Sequence, residues 1–211
     1  MVSAKNALSQ AFKTSWAAPG MLLQDRAAYM ATQIGAAFHS VFSASQVLLS
    51  ITGTTSVPSP YTGTDSTLGV FNLAALITDL QAKYLTLFVG GAGSAYGFAQ
   101  DEAQAYSLAI EAYFSSATFP LAIASGNTHD GVLSAVTLPV STLKTEMAPL
   151  LLAVYSEIGS APSSPATKAD AVATVIDNAL QNWLSGITFS GTVTNSPAGP
   201  LTGGAATGNF T

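Results

Sequence analysis

Few side chains in this 211-residue sequence could do acid–base or nucleophilic chemistry: two histidines, eleven carboxylates and no cysteine. His39 lies between Phe38 and Phe42 in a stretch of helical spacing, where a hydrogen-bonded structural role is the ordinary reading. His129-Asp130 belongs to Ser125-Gly126-Asn127-Thr128-His129-Asp130-Gly131, a run of turn-forming residues. A catalytic base needs a nucleophile within hydrogen-bond reach and a partner that orients its ring, and chain neighbours in a turn supply neither. Serines are plentiful, but no Gly-x-Ser-x-Gly elbow follows a strand pattern.

The stretch Gly90-Gly91-Ala92-Gly93-Ser94-Ala95-Tyr96-Gly97 is superficially like a nucleotide-binding loop. The spacing of Gly91, Gly93 and Gly97 is one residue too long for the dinucleotide fingerprint, and no Lys-Ser or Lys-Thr follows. A connection between helices, or a close approach to a neighbouring subunit, accounts for these glycines. Asp101-Glu102, the one adjacent pair of acids, suits the positive end of a helix. Asn209-Phe210-Thr211 matches a glycosylation sequon by chance. These residues lead to no catalytic, cofactor-binding or metal-ligating assignment.

The elements that would position any site are read as helices. Apolar residues recur at three- and four-residue steps in Ala4 to Trp16, in Met30 to Leu49, from Leu73 to Phe88, from Asp101 to Ala117, from Pro139 to Ile158 and from Ser164 to Gly186. The last has the clearest punctuation, Ser164-Pro165 at its start and Gly186 at its end. Two stretches differ. Residues 51–71 and 187–211 are rich in Thr, Ser, Gly and Pro and read as extended structure. They also resemble each other: Pro60-Tyr61-Thr62-Gly63 parallels Pro200-Leu201-Thr202-Gly203, and Gly69-Val70-Phe71 parallels Gly208-Asn209-Phe210. Either the chain is internally duplicated with pseudo-twofold organisation, or five residue types match by chance. The expected fold is mainly α, a bundle of five to six helices. Residues 1–186 form a helical domain interrupted by the loop 51–71, and 187–211 form a C-terminal arm.

Composition bears on function. Charged residues are 8% of the chain against about 25% in an ordinary soluble domain. No charge falls between Arg26 and Asp65 or after Asp177. With 48% hydrophobic residues and a mean hydropathy of +0.40, much of the surface must be neutral or covered by other subunits. A net charge of −5 with six scattered basic residues argues against direct nucleic-acid binding. The best candidate for a membrane span, Met30 to Ile51, is diluted by polar residues, so no membrane insertion is expected. The opening Met-Val-Ser-Ala-Lys-Asn lacks the pattern of an export signal.

The C-terminal stretch Thr194-Asn195-Ser196-Pro197-Ala198-Gly199-Pro200-Leu201-Thr202-Gly203-Gly204-Ala205-Ala206-Thr207-Gly208-Asn209-Phe210-Thr211 resembles the neutral Gly/Thr/Pro ends of small structural proteins of tailed bacteriophages. That resemblance implies a virion component of the neck, tail or baseplate, made in the host cytoplasm and assembled with copies of itself or with other virion proteins. On this expectation Pro60, Tyr61, Gly63, Phe71, Pro197, Pro200, Leu201 and Phe210 are candidates for contact with neighbours. The alternatives are a cellular coat protein, like the helical proteins that cover granules, and a hydrolase using His39 or His129.

Overall fold

Among the described residues, six helices and six strands alternate in pairs along the chain. They are α1 (Lys5–Trp16), α2 (Leu23–Phe42), β1 (Gln46–Thr55), β2 (Pro60–Leu68), α3 (Leu73–Gly90), α4 (Ala95–Ser115), β3 (Pro120–Leu121), β4 (Asp130–Thr137), α5 (Thr142–Ile158), α6 (Pro165–Ser185), β5 (Thr188–Ser196) and β6 (Gly199–Phe210). The computed structural model describes residues 3–17, 20–56, 59–90, 94–121, 128–139, 142–158 and 164–210.

The helices largely follow the expected periodicity, and the fold class does not. The chain is mixed α/β, with a curled antiparallel sheet in the order β2-β1-β6-β5-β4-β3. The described residues of 51–71 and 187–211 are largely extended, but they belong to hairpins of that sheet, and β6 lies between β1 and β5. The physical reason is alternation. In β1 the exposed residues Gln46, Leu48 and Ser50 alternate with the buried residues Val47, Leu49 and Ile51, the period of a strand with one covered face. Leu48 and Leu49 also continue the helical spacing of the preceding residues, which is why the helix expected from Met30 overruns its true end at Phe42.

The order helix, helix, strand, strand occurs three times, a threefold recurrence of elements where the sequence left duplication or a chance match open. Helices α2, α4 and α6 begin 72 and then 70 residues apart. At that spacing Ala27, Ala99 and Ala169 coincide, as do Ala31, Ala103 and Ala173, and Ala37, Ala109 and Ala179; all are buried. Small residues at these places let helices approach closely. The two arms matched by sequence belong to the first and third repeats. The middle repeat escaped because its hairpin shares none of their Pro-Tyr-Thr-Gly or Pro-Leu-Thr-Gly wording.

The helices form a ring: the two in each repeat pack together, α2 packs on α3, α4 on α5, and α6 returns to α1. The return is polar. The Asp177 carboxylate of α6 accepts the Ala4 backbone N–H at 2.6 Å and the Ser3 hydroxyl at 2.7 Å, helping to cap a helix start whose Ala4 has no capping side chain. Asp170 pairs with Lys13 at 2.8 Å and bonds Ser9; the Lys13 bond holds its carboxyl below the usual range.

The sheet curls until its edge strands meet. Val70 and Thr118 exchange backbone hydrogen bonds of 2.8 and 3.2 Å, and the Thr67 hydroxyl donates to the Pro120 carbonyl at 2.5 Å. Gly203, at φ +63°, sits at the bulge where β6 bends against β1. Ring and sheet share one core. Its aromatic centre includes Phe42 against Phe114 at 4.8 Å, Phe119 against Phe189 at 4.7 Å and Phe189 against Phe210 at 5.0 Å between ring centroids.

Among the described residues, one helix is long and apolar enough to cross a membrane: α3, not the stretch from Met30. Its Leu76, Leu80, Tyr84 and Leu87 are buried in the core.

Candidate functional site

Three features stand apart from ordinary core packing: the outer face of the sheet and two buried polar clusters. The outer face follows from strand alternation. Gln46, Leu48, Ser50, Thr52 and Thr54 of β1 point outward, as do Thr62, Thr64 and Leu68 of β2, Thr188, Ser190, Thr192 and Thr194 of β5, and Thr202, Ala205, Thr207 and Asn209 of β6. Charge is segregated from this face. Of the six basic and eleven acidic side chains, all but Asp65 and Asp130 belong to helices, and Asp65 is buried. Asp130 is therefore the one exposed ionisable side chain on the strands.

An apolar row crosses the seam where the sheet curls shut. Two residues along from the Val70–Thr118 bridge, antiparallel register sets Leu68 opposite Pro120, and Pro120 pairs with Val132. Leu48 lies diagonally from Leu68 on the same face, since Gln46 pairs with Leu68. Leu48, Leu68, Val70 and Val132 are 49, 47, 60 and 63% exposed. Between β2 and β3 a groove of about 340 Å³ opens, lined by Gln46, Ser66, Thr67, Leu68, Gly69, Val70 and Pro120.

The residues expected at an interface divide between the two ends of the sheet. Pro60, Pro197 and Pro200 are exposed at the hairpin tips of β1–β2 and β5–β6, with Tyr61, Gly63 and Leu201 half-buried beside them. Register brings the tips together, Thr54 facing Pro60 and Thr55 facing Leu201. Gly63 lies against the Tyr61 ring, where an added Cβ would meet the hydroxyl at 2.6 Å. Phe71 and Phe210 sit at the other end: Phe71 stacks on Tyr113 at 4.8 Å, and Phe210 is a 5%-exposed core residue against Phe114. Phe210 thus fills the chain's own core.

The first polar cluster braces the seam. His129, 1% exposed, places Nε2 2.8 Å from the Tyr61 hydroxyl and Nδ1 3.1 Å from Asp65 and 2.8 Å from the Thr128 hydroxyl. Every atom is satisfied if Nδ1–H donates to the Asp65 carboxylate and Tyr61 O–H donates to Nε2. The Ser66 N–H, at 2.7 Å, also donates to Asp65. Acid, imidazole and hydroxyl in this order can activate a nucleophile in an enzyme. Here the neighbouring groove is lined by none of the three. They join β2 to the residue entering β4, across the seam. Sequence pointed to His129 and Tyr61 separately and missed Asp65, which adds no local pattern of its own. The rest of the turn, Ser125 to Asn127, lies outside the described residues.

The second cluster centres on Glu102 of α4, 2% exposed. Tyr106 O–H donates to it at 3.1 Å, Tyr155 of α5 bonds its other oxygen, and Tyr84 of α3 bonds Tyr106. Burial pushes the Glu102 carboxyl up to about 7, against the opposing pull of the Tyr155 and Tyr106 bonds. The three phenols are raised by burial and then by the carboxylate. At the equivalent place in the other repeats stand Met30 and Val172, and at that of Tyr106 stand Ile34 and Ile176, all buried. The expectation that Asp101-Glu102 opens a helix is corrected: α4 begins seven residues before Glu102, capped by the Ser94 hydroxyl accepting from the Gly97 N–H at 3.1 Å.

Of the glycine stretch, residues 91–93 lie outside the described residues, and Thr211 of the sequon does too. His39 is half-buried and bonds the Tyr113 hydroxyl. A groove of about 360 Å³ lies between α3 and α4; on its rim Lys83 pairs with Asp79 at 2.9 Å, and Gln104 accepts from Lys144 at 2.7 Å. No protein-family model, curated protein or solved structure matches the chain.

Proposed function

We propose that the chain is a non-catalytic structural protein, a virion component of the neck, tail or baseplate kind that works through contacts between subunits. The observation that carries this reading is the segregation of charge onto the helices, which leaves the outer face of the sheet with Asp130 as its one exposed charge. The rest of that face can be covered by another subunit without stranding a buried charge, and stranding one costs several kcal/mol per ion. The buried polar clusters fit the same reading, since each satisfies its own groups.

Electron microscopy and light scattering of the purified chain test it, with discrete oligomers or ordered particles as the expected result. Coating of lipid vesicles or oil droplets without any particle of its own would overturn the reading in favour of a surface-adsorbing protein. Turnover of ester or peptide substrates that disappears in His129→Ala would overturn it in favour of a hydrolase.

A further inference from the structure

The Glu102 cluster occupies a place that the other two repeats fill with Met30 and Ile34, or with Val172 and Ile176, so the packing of helix on helix does not require it. It links three helices in series. The carboxyl bonds Tyr155 of α5 directly and reaches Tyr84 of α3 only through Tyr106. These hydrogen bonds accommodate either protonation state. With the carboxyl ionised, the O–H groups of Tyr106 and Tyr155 donate to it and Tyr84 O–H donates to Tyr106. With the carboxyl protonated, its own O–H donates to the Tyr155 oxygen, and the hydrogen of the half-buried Tyr155 turns to solvent. We infer that the cluster is a pH-operated latch: protonated Glu102 holds α5 against α4, and ionised Glu102 draws water in at Tyr155 and loosens α5 while α1 and α2 stay packed.

The surroundings make the ionised form costly. Facing the carboxyl are three phenols, Tyr106 of α4, Tyr84 of α3 and Tyr155 of α5. From α2 the Phe38 ring meets Tyr106 at 5.8 Å, and His39 bonds Tyr113 instead. The charged groups of these helices are engaged elsewhere or are acids: Lys83 pairs with Asp79, Lys144 bonds Gln104, Glu111 accepts from Ser107, and Asp101 and Glu146 add negative charge. Among the described residues no cation bonds or pairs with Glu102, so its ionised form is buried with only hydroxyls to stabilise it. Burial accordingly holds the carboxyl at about 7; the latch is closed by a proton below that pH and strained by charge above it. Pro149 removes one backbone donor from the interior of α5, which makes that helix the partner that yields. The latch is independent of the reading of the chain as an assembly protein.

Thiol labelling reads the opening, since the chain has no native cysteine. Ala148→Cys places a thiol on α5 and Ala31→Cys places one on α2, both at buried sites. Each labelling rate is referred to that of the same thiol in the urea-unfolded chain at the same pH. Ala148→Cys should label about tenfold faster than Ala31→Cys or more, because α5 opens without α2. Its rate should rise about tenfold or more between pH 5 and pH 8.5, the linkage expected when opening frees a carboxyl held at about 7. Adding Glu102→Gln, or the pair Glu102→Met and Tyr106→Ile that copies the first repeat, should abolish the rise. If Ala148→Cys does not fold, hydrogen exchange of the unsubstituted chain reads the same opening: α5 amides should exchange ahead of α2 amides, with protection that falls toward pH 8.5. Equal opening of α5 and α2, no rise with pH, or a rise that survives the Glu102 substitutions overturns the latch.

Discussion

Glu102 shows what a single residue can impose. Its folded-state carboxyl, at about 7, lies above the ordinary value of 4.5, so folding favours the protonated form. Its contribution is complete below about pH 4.5 and is lost as pH rises to about 7, by roughly 3 kcal/mol for a shift of this size. Urea denaturation of Glu102→Gln should therefore match the parent near pH 4 and exceed it near pH 8; equal curves at both pH values would mean the carboxyl titrates normally. At the seam, His129→Ala leaves the buried Asp65 with the Ser66 N–H and without its imidazole. A loss of about 1–3 kcal/mol is expected in the same measurement. A change within experimental error would show that the cluster does not brace the sheet. The sequence made both histidines visible, but pairing Asp65 with His129, 64 residues apart, required the fold.

Among the elements, α6 was legible in full because its signals are local: the Ser164 hydroxyl accepts from the Thr167 N–H at 3.2 Å, Pro165 follows, and Gly186 closes the helix. The start of α4 was displaced because Ser94 and the glycines around it look like loop, and an acid pair inside the helix mimics a first turn. The strands were harder still. Their Thr, Ser and Gly content carries little apolar alternation, and they become ordered by pairing with hairpins far along the chain. At the junction of α6 and α1, Asp177→Ala should remove the cap that the α1 start borrows. Hydrogen exchange in α1 should accelerate about tenfold, consistent with about 1–2 kcal/mol for a lost cap. Exchange in α3 and α4 should be unchanged. If all helices loosened equally, the contact would belong to the global core and not to the clasp.

For the whole molecule, the decisive fact is that β6 is a central strand and Phe210 a core residue. A chain ending at Ser190 loses that strand and opens the sheet between β1 and β5. It should show no cooperative thermal transition by circular dichroism. A truncated chain melting within a few degrees of the parent would mean that residues 191–211 are a dispensable arm after all.

The sequence by itself determined the helices, their amphipathic faces and the scarcity of charge, because each is written in local periodicity or composition; the likeness of two segments it left open between duplication and chance. Only the tertiary structure decided that these segments belong to hairpins of one sheet, that the order of elements recurs three times, and that Tyr61, Asp65 and His129 meet. Strand pairing, closure of the helix ring and the seam are contacts between residues distant along the chain. Their energies arise only when the whole core forms, so no window of sequence contains them.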